Sequence, residues 1–590
     1  MFGLLILTFV ALSIAVSNQS YDFIVVGGGT AGLAVAVRLS QKLPDLSVLV
    51  IEAGPDGRDI PGIYVPGRKG SLLGTIYDWN FTTVPQPGAN NRILSQNRGR
   101  VLGGSSALNL ISWDRGAKAD YDDWESFGNP GWNWDSMHSA MRKSETFQLT
   151  PNNGSAGIKG VGDHGEIRSL ISRFSTPQNE EFFPAMHNLG YGQTYGYMDG
   201  EVLGYMRHTS NVLLSNYTRS YSPAYLAVAG SNLHLMLNTT VSKVTLDNER
   251  RATGVMMEDG TTITATKEVI LSAGSIQSPQ LLELSGVGNA TVLSSAGITP
   301  VVELPGVGEN LQDHVRIVNV YQLDSNYTSA DILRFNATFA AEQLDRWERN
   351  ITGFYDNTGS AYAYLTWQQA LGNDSTFKEL ARQAASPHIV DQRKLENVLD
   401  VNKGVPQVEV LFSDGYLGLK GYPVANSSLY GQTFFAMIAS IQHPFSRGSV
   451  HLNTSHPSGK PILNPNYLSN EYDLQAVKEA AKFLRKVATT PPLSYTWVDE
   501  YEPGFEISTD AQWTEYAKSH ALSIWHPVGT CAMLPKEEGG VVDSHLRVYG
   551  VPNLRIVDAS IMPALVSGHI QSAVYGIAER AADLISGAWS

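Results

Sequence analysis

Apolar residues near the start of the chain come in short unbroken runs rather than in alternation. Tyr21 to Val26 reads as a buried strand, Gly27 to Gly32 as a tight turn, Leu33 to Ser40 as a helix and Ser47 to Ile51 as a second buried strand ending at Glu52. Unbroken apolar strands are those covered on both faces, as in a parallel sheet flanked by helices. Far downstream, Val269 to Ala273 repeats the strand pattern, and an apolar helix follows that ends at Gly286. The start of the chain, Met1 to Ser17, carries another apolar run ending in Ala15, Val16 and Ser17, followed by polar Asn18, Gln19 and Ser20. It is short for a membrane span and ends in small residues, so it predicts a cleaved signal peptide over residues 1–17 and a secreted protein with no membrane anchor.

Strand, turn, helix, strand and acid is the order a dinucleotide site requires. Gly27, Gly29 and Gly32 fit G-x-G-x-x-G, whose small backbones let a pyrophosphate approach the unpaired amides of the helix N-terminus. Glu52 closes the second strand, where a carboxylate can bind the ribose hydroxyls. NAD and FAD share this cradle, so the fingerprint alone leaves both open.

Composition changes the picture only at the margins. With 590 residues, 43% of them hydrophobic and 17% charged, the chain is folded and large enough for two domains. Its formal charge of −14 gives no footprint for nucleic acid or an anionic surface. Twelve N-x-S/T sites, at Asn18, Asn80, Asn153, Asn216, Asn238, Asn289, Asn326, Asn336, Asn350, Asn373, Asn426 and Asn453, agree with secretion and predict N-linked glycans. The single Cys531 excludes an intramolecular disulfide and is read as a packed small hydrophobe. No zinc or iron–sulfur spacing occurs, and no metal is expected.

Two longer segments go further. The first is Gly99-Arg100-Val101-Leu102-Gly103-Gly104-Ser105-Ser106-Ala107-Leu108-Asn109, followed by Trp113 and Gly116; the second is Gly274-Ser275-Ile276-Gln277-Ser278-Pro279-Gln280-Leu281-Leu282-Glu283-Leu284-Ser285-Gly286-Val287-Gly288. Together they resemble the two signatures of the glucose-methanol-choline (GMC) oxidoreductase family. Val307 to His314 is similar as well, with His314 read as structural, and the likeness runs from about Tyr21 to Leu584. It implies an α/β fold: a Rossmann-type FAD-binding domain and a discontinuous substrate domain built on an antiparallel sheet. Residues 18–150, 225–315 and 526–590 are expected in the first and 151–224 and 316–525 in the second, with the strand Leu554 to Asp558 making a last return to the FAD sheet. The implied cofactor-binding set is Gly27, Gly29, Thr30, Ala31, Gly32, Glu52, Ala53, Arg100, Gly103, Gly104, Ser105, Asn109, Val241, Ala273, Asp558, Ala559 and Gln571. Some relatives offer a linking histidine at positions 107 and 108; Ala107 and Leu108 cannot link, so FAD is expected to be noncovalent.

Alcohol oxidation needs a base for the hydroxyl proton and an acceptor for the hydride on the same carbon. In the family an H-P-x-G-T segment carries the base, and His526 falls on it, held between Trp525 and Pro527. His569 matches a position that orients the substrate hydroxyl. The resemblance therefore implies proton transfer to His526, hydride transfer to the flavin and alkoxide stabilisation by His569. The histidine pair and Trp525 are most similar to fungal aryl-alcohol oxidases, although the tyrosine that stacks the aromatic alcohol in those enzymes is here Gln96. Trp525 and Gln96 are expected to line the substrate pocket. An aryl alcohol with oxygen or a quinone as acceptor leads, a sugar or secondary-metabolite alcohol stays open, and a non-redox FAD-containing lyase or cyclase is the alternative of another class.

Overall fold

The computed structural model describes residues 19–150 and 159–590. The predicted signal peptide and the sequons at Asn18 and Asn153 lie outside the described residues.

The unbroken apolar runs become the centre of a seven-stranded sheet. Strand Ser20–Val26 pairs in parallel with Val48–Ile51 on one side and with Thr262–Leu271 on the other. Leu233–Met236 extends the parallel part beyond Val48–Ile51. Ala252–Met257 and Val241–Leu246 add an antiparallel edge, and Leu554–Ile556 pairs in parallel with the end of Thr262–Leu271. Phe23, Ile24 and Val25 are fully buried because the helices Thr30–Lys42 and Gln571–Trp589 pack with this sheet in one core. Each such side chain contributes about 1.5–3 kcal/mol by leaving water. The sheet thus gathers strands from the beginning, middle and end of the chain, and its return at Leu554 is where the sequence placed it.

A second seven-stranded sheet runs Trp497–Glu502, Val315–Leu323, Phe434–Ile441, Val408–Ser413, Ala361–Leu365 and Gly204–Arg207, with Leu522–Ser523 paired to the start of Val315–Leu323. Every pairing in it is antiparallel. The period of two divides its faces. Ala363, Val410 and Met437 join a core shared with the helix Glu471–Ala488, which inserts Val477, Ala480, Ala481 and Leu484. Tyr362, Leu411 and Ile438 turn the other way and line a cavity of about 1210 Å³ between the two sheets. No helix among the described residues is long and apolar enough to cross a membrane.

Candidate active site

At one end of the cavity the glycines form a cradle. A Cβ on Gly27 would lie 2.5 Å from the Ser272 carbonyl oxygen, and one on Gly32 would run into the Gly27 carbonyl, so these positions seat strand, turn and helix together. Gly29 differs: a Cβ there would meet only Gly104 Cα at 3.8 Å, which leaves its backbone open to the cavity at the N-terminus of the helix Thr30–Lys42. Glu52 accepts the amides of Gly28 and Gly54, each at 2.8 Å. Burial pushes its carboxyl up to about 7, against the opposing pull of those amides and of Arg100.

Of the predicted cofactor set, Gly27, Gly29, Thr30, Ala31, Glu52, Ala53, Arg100, Gly104, Ser105, Asn109, Val241, Ala273, Asp558, Ala559 and Gln571 line the cavity. Gly32 and Gly103 do not; Gly103 has φ +101° and backs onto the Tyr221 ring, so both serve packing rather than contact. The Asp558 carboxylate is engaged by protein donors: Gly274 N–H at 2.9 Å, Ser278 Oγ–H at 2.6 Å and Ser560 N–H at 2.8 Å. It caps the turn that shapes the cavity wall. Ser275 Oγ and Gln571 Nε2 are buried without a hydrogen-bond partner, on residues that face this cavity. Buried polar atoms are rarely left so, and a polar occupant would satisfy them. A dinucleotide with a flavin end fits this cradle: acid at one end, open backbone in the middle, amide and hydroxyl donors beyond.

The two predicted histidines share the cavity wall. Their rings lie 5.1 Å apart, centroid to centroid, at 80°. Hydrogen-bond chemistry fixes the protons on His526. His314 Nε2 lies 3.0 Å from the Gln442 carbonyl oxygen, which can only accept, so that nitrogen carries the hydrogen. Burial, with His443 and His569 nearby, holds His314 well below the ordinary histidine value, so it is neutral and its Nδ1 is a bare acceptor. His526 Nδ1 is 2.9 Å from that atom and must donate to it. The remaining nitrogen of His526, Nε2, is left with a lone pair. Burial first, then the neighbouring His569, His314 and Arg98 side chains, hold His526 well below its ordinary value, in the neutral form a base requires.

His569 is held in the opposite state. Its Nδ1 lies 3.4 Å from Asp114 Oδ2 and 3.5 Å from Glu409 Oε1. Burial alone would lower it, but Glu409 and Asp114 raise it to about 9, so it is an imidazolium at neutral pH. Asp114 also accepts from His208 Nε2 at 2.9 Å and from the Tyr364 hydroxyl at 2.6 Å, and the histidine charges hold it well below the usual carboxylate range despite burial. Burial pushes Glu409 up to about 7, opposed by His569. Asp114, His208 and His569 also bring one ligand atom each within 4.8 Å of one another. The hydrogens shared with Asp114 Oδ2 account for that closeness. One imidazole is thus a neutral base and its neighbour a cation, an arrangement that can take a proton from a hydroxyl and stabilise the oxygen left behind.

Trp525 lines the cavity as expected, but Gln96 does not. Gln96 is 1% exposed and gives its amide to Asp313 at 2.9 Å and to Tyr467 Oη at 2.5 Å. It sits on an extended segment whose next residues, Asn97 and Arg98, reach the cavity instead. Asp313 also accepts from the Tyr467 and Ser523 hydroxyls and, at 2.8 Å, from the backbone of His526. This carboxylate therefore anchors the loop that carries His526, as do Ser523 Oγ, accepting from Trp525 N–H at 2.7 Å, and Ser95 O, accepting the indole N–H at 3.1 Å. Such fixing is needed because Trp525 holds φ +65°, which costs a bulky residue about 1–3 kcal/mol. Asp114, His208, Asp313 and Glu409 were missed as site residues in the sequence. Asp114 could have been noticed, since it lies inside the first signature between Trp113 and Gly116; Glu409 and His208 lie in segments without any motif. Cys531 is buried with its thiol raised by burial, as a packed residue should be.

Comparison with known proteins agrees with this geometry. Two family models described as GMC oxidoreductase match residues 21–316 and 444–578. A dehydrogenase of Armillaria gallica is 36% identical, over 96% of this chain and 93% of its own. Pyranose dehydrogenase 3 of Leucoagaricus meleagris is 31% identical, over 97% and 93%. The solved structure of a fungal aryl-alcohol oxidase aligns with a TM-score of 0.83 at 29% identity, covering 96% of this chain and 99% of that one. With the nucleotide cradle, the roofing antiparallel sheet and the histidine pair in place, the chain belongs to the GMC oxidoreductase family of FAD-binding enzymes acting on alcohols and sugars.

Proposed function

We propose that this protein oxidises a primary alcohol, an aryl alcohol or a close analogue, to the aldehyde. The observation that carries this reading is the pairing of a neutral His526, which lines the cavity and keeps Nε2 bare, with a cationic His569 beside it. The substrate hydroxyl lies between the two rings; His526 takes its proton and His569 stabilises the alkoxide character of the oxygen. FAD, when bound, accepts the hydride from the same carbon. Trp525, fixed through its backbone and indole, offers a flat wall to a ring beside the base. Ala107 and Leu108 have no nucleophilic atom to offer the flavin, which supports noncovalent binding. A secreted, glycosylated protein is part of the same reading: each of the ten sequon asparagines among the described residues is exposed or half-buried, none buried.

Anaerobic mixing of the yellow protein with benzyl-type alcohols, a furanic alcohol and glucose, followed by flavin absorbance, tests the reading. Bleaching by the aryl or furanic alcohols is expected, and readmitted air then separates an oxidase from a dehydrogenase. Bleaching by glucose alone would move the substrate to the sugars. No bleaching by any alcohol, with FAD bound, would sink hydride transfer in favour of a non-redox lyase or cyclase.

A further inference from the structure

Several cations in the cavity form no ion pair among the described residues, and one of them stands close to Trp525. Arg316 lies two residues beyond His314, on the same face of the strand by the period of two, and it lines the cavity with Trp525 and His526. Its Nε donates to the Ser523 carbonyl at 3.1 Å, and its guanidinium lies 5.9 Å from the centre of the Trp525 ring. No carboxylate among the described residues forms an ion pair with it. The contrast with its neighbour is instructive: Arg98 gives hydrogens to the carbonyls of Trp525 and Asn97 and feels the charges of Asp313 and Asp78. Arg316 feels burial alone, which lowers it only to about 10, so it stays charged. In a chain of net charge −14, a guanidinium placed in the cavity without an acid beside it is not part of the general surface pattern.

From this placement we propose that Arg316 binds a carboxylate on the substrate, so that the preferred alcohols are aromatic or furanic acids bearing a hydroxymethyl group. The inference rests on the alcohol-oxidising reading above. A guanidinium held through Nε presents its remaining hydrogens as a planar fork, the geometry that pairs with a carboxylate. His314 touches His526, and two residues of strand separate His314 from Arg316 by roughly 7 Å. Arg316, Trp525 and His526 line the same cavity, so a single five- or six-membered ring between them would turn its hydroxymethyl group toward His526 and its acid toward Arg316. Trp525, whose ring centre lies 5.9 Å from the Arg316 guanidinium and which precedes His526 in the chain, offers the face on which the ring would stack. The neutral isostere loses the ion pair and leaves the guanidinium uncompensated.

Steady-state kinetics on the FAD-loaded enzyme compare 4-(hydroxymethyl)benzoate with its methyl ester, and 5-hydroxymethyl-2-furoate with furfuryl alcohol. The acids are expected to exceed the neutral partners in kcat/KM by about tenfold or more, mainly through KM, with the advantage shrinking as salt is raised. Arg316→Gln should shrink the acid-to-ester ratio by about tenfold to a hundredfold, and Arg316→Lys should retain part of it. An ester used as well as its acid by the unmodified enzyme would overturn the proposal even if neither variant folds. So would an Arg316→Gln enzyme that loses both substrates in equal proportion. Failure of the underlying reading looks different: then no alcohol, acid or ester, would bleach the flavin.

Discussion

His526 and His569 are the same residue type 5.1 Å apart, centroid to centroid, yet they hold opposite charge states because their outer contacts differ. His526 backs onto a neutral imidazole, His569 onto two carboxylates. The activity should therefore follow a bell. Its acid limb, from protonation of His526, falls below the ordinary histidine value; its alkaline limb, from loss of the His569 proton, falls near 9. His569→Asn should remove the alkaline limb and lower kcat by roughly a hundredfold, and a profile with the alkaline limb intact would assign that limb elsewhere. His314 sets which nitrogen of His526 is bare. His314→Leu is expected to cut kcat about tenfold or more with KM and flavin content little changed, whereas His314→Gln, able both to donate to Gln442 and to accept from His526, should restore much of it. Equal losses in the two variants would reduce His314 to a packing role. The sequence marked His526 and His569 through the motifs around them. It read His314 as structural, because a tautomer chain through the Gln442 carbonyl exists only once three distant segments have met.

Between elements, the helix Gly274–Leu284 carries the second signature and is latched at its end by a charge network. His451 places Nδ1 at 2.7 Å from Glu283 and Nε2 at 3.0 Å from Glu309. Burial would lower this imidazole, but the two carboxylates hold it at about 9. Its folded value thus lies above the unfolded value of about 6.5, so its contribution is complete below that pH and fades as the pH rises through 9. His451→Gln should lose about 1–2 kcal/mol at pH 6, given the partial exposure of Glu309, and almost nothing at pH 10. Thermal unfolding at the two pH values checks this; an undiminished gap at pH 10 would rule out the ionic latch. The helix itself and its Gly286 stop were legible from the apolar run. The latch was not, since Glu283, Glu309 and His451 are ordinary polar residues until the fold removes water from between them.

Across the whole molecule the nucleotide cavity is walled by segments from residues 26 to 574. An occupant touching all of them stabilises the folded chain and not the unfolded one. Flavin-stripped protein should unfold at a lower temperature, and FAD at a hundredfold excess over its Kd should add about 2.7 kcal/mol. A midpoint indifferent to FAD would mean that the cradle does not hold it. Glu52→Gln should weaken that response, because the carboxylate holds the turn through Gly28 and Gly54 and lines the cavity.

What the sequence determined by itself is whatever local chemistry repeats along the chain. Apolar runs gave the parallel strands, glycine spacing gave the nucleotide turn, and two signatures gave the family. Register and face were decided elsewhere. Gln96 was expected in the pocket and instead holds Asp313, while Arg98 and Arg316 reach the cavity. Asp114 and Glu409 lie nearly 300 positions apart in the chain and set the charge of His569 only because the fold brings both carboxylates to its ring. Tertiary structure decides such matters because a pKa or a substrate contact depends on distance, burial and the direction of a side chain. Those quantities come into being when water leaves the space between segments, and no short stretch of sequence contains them.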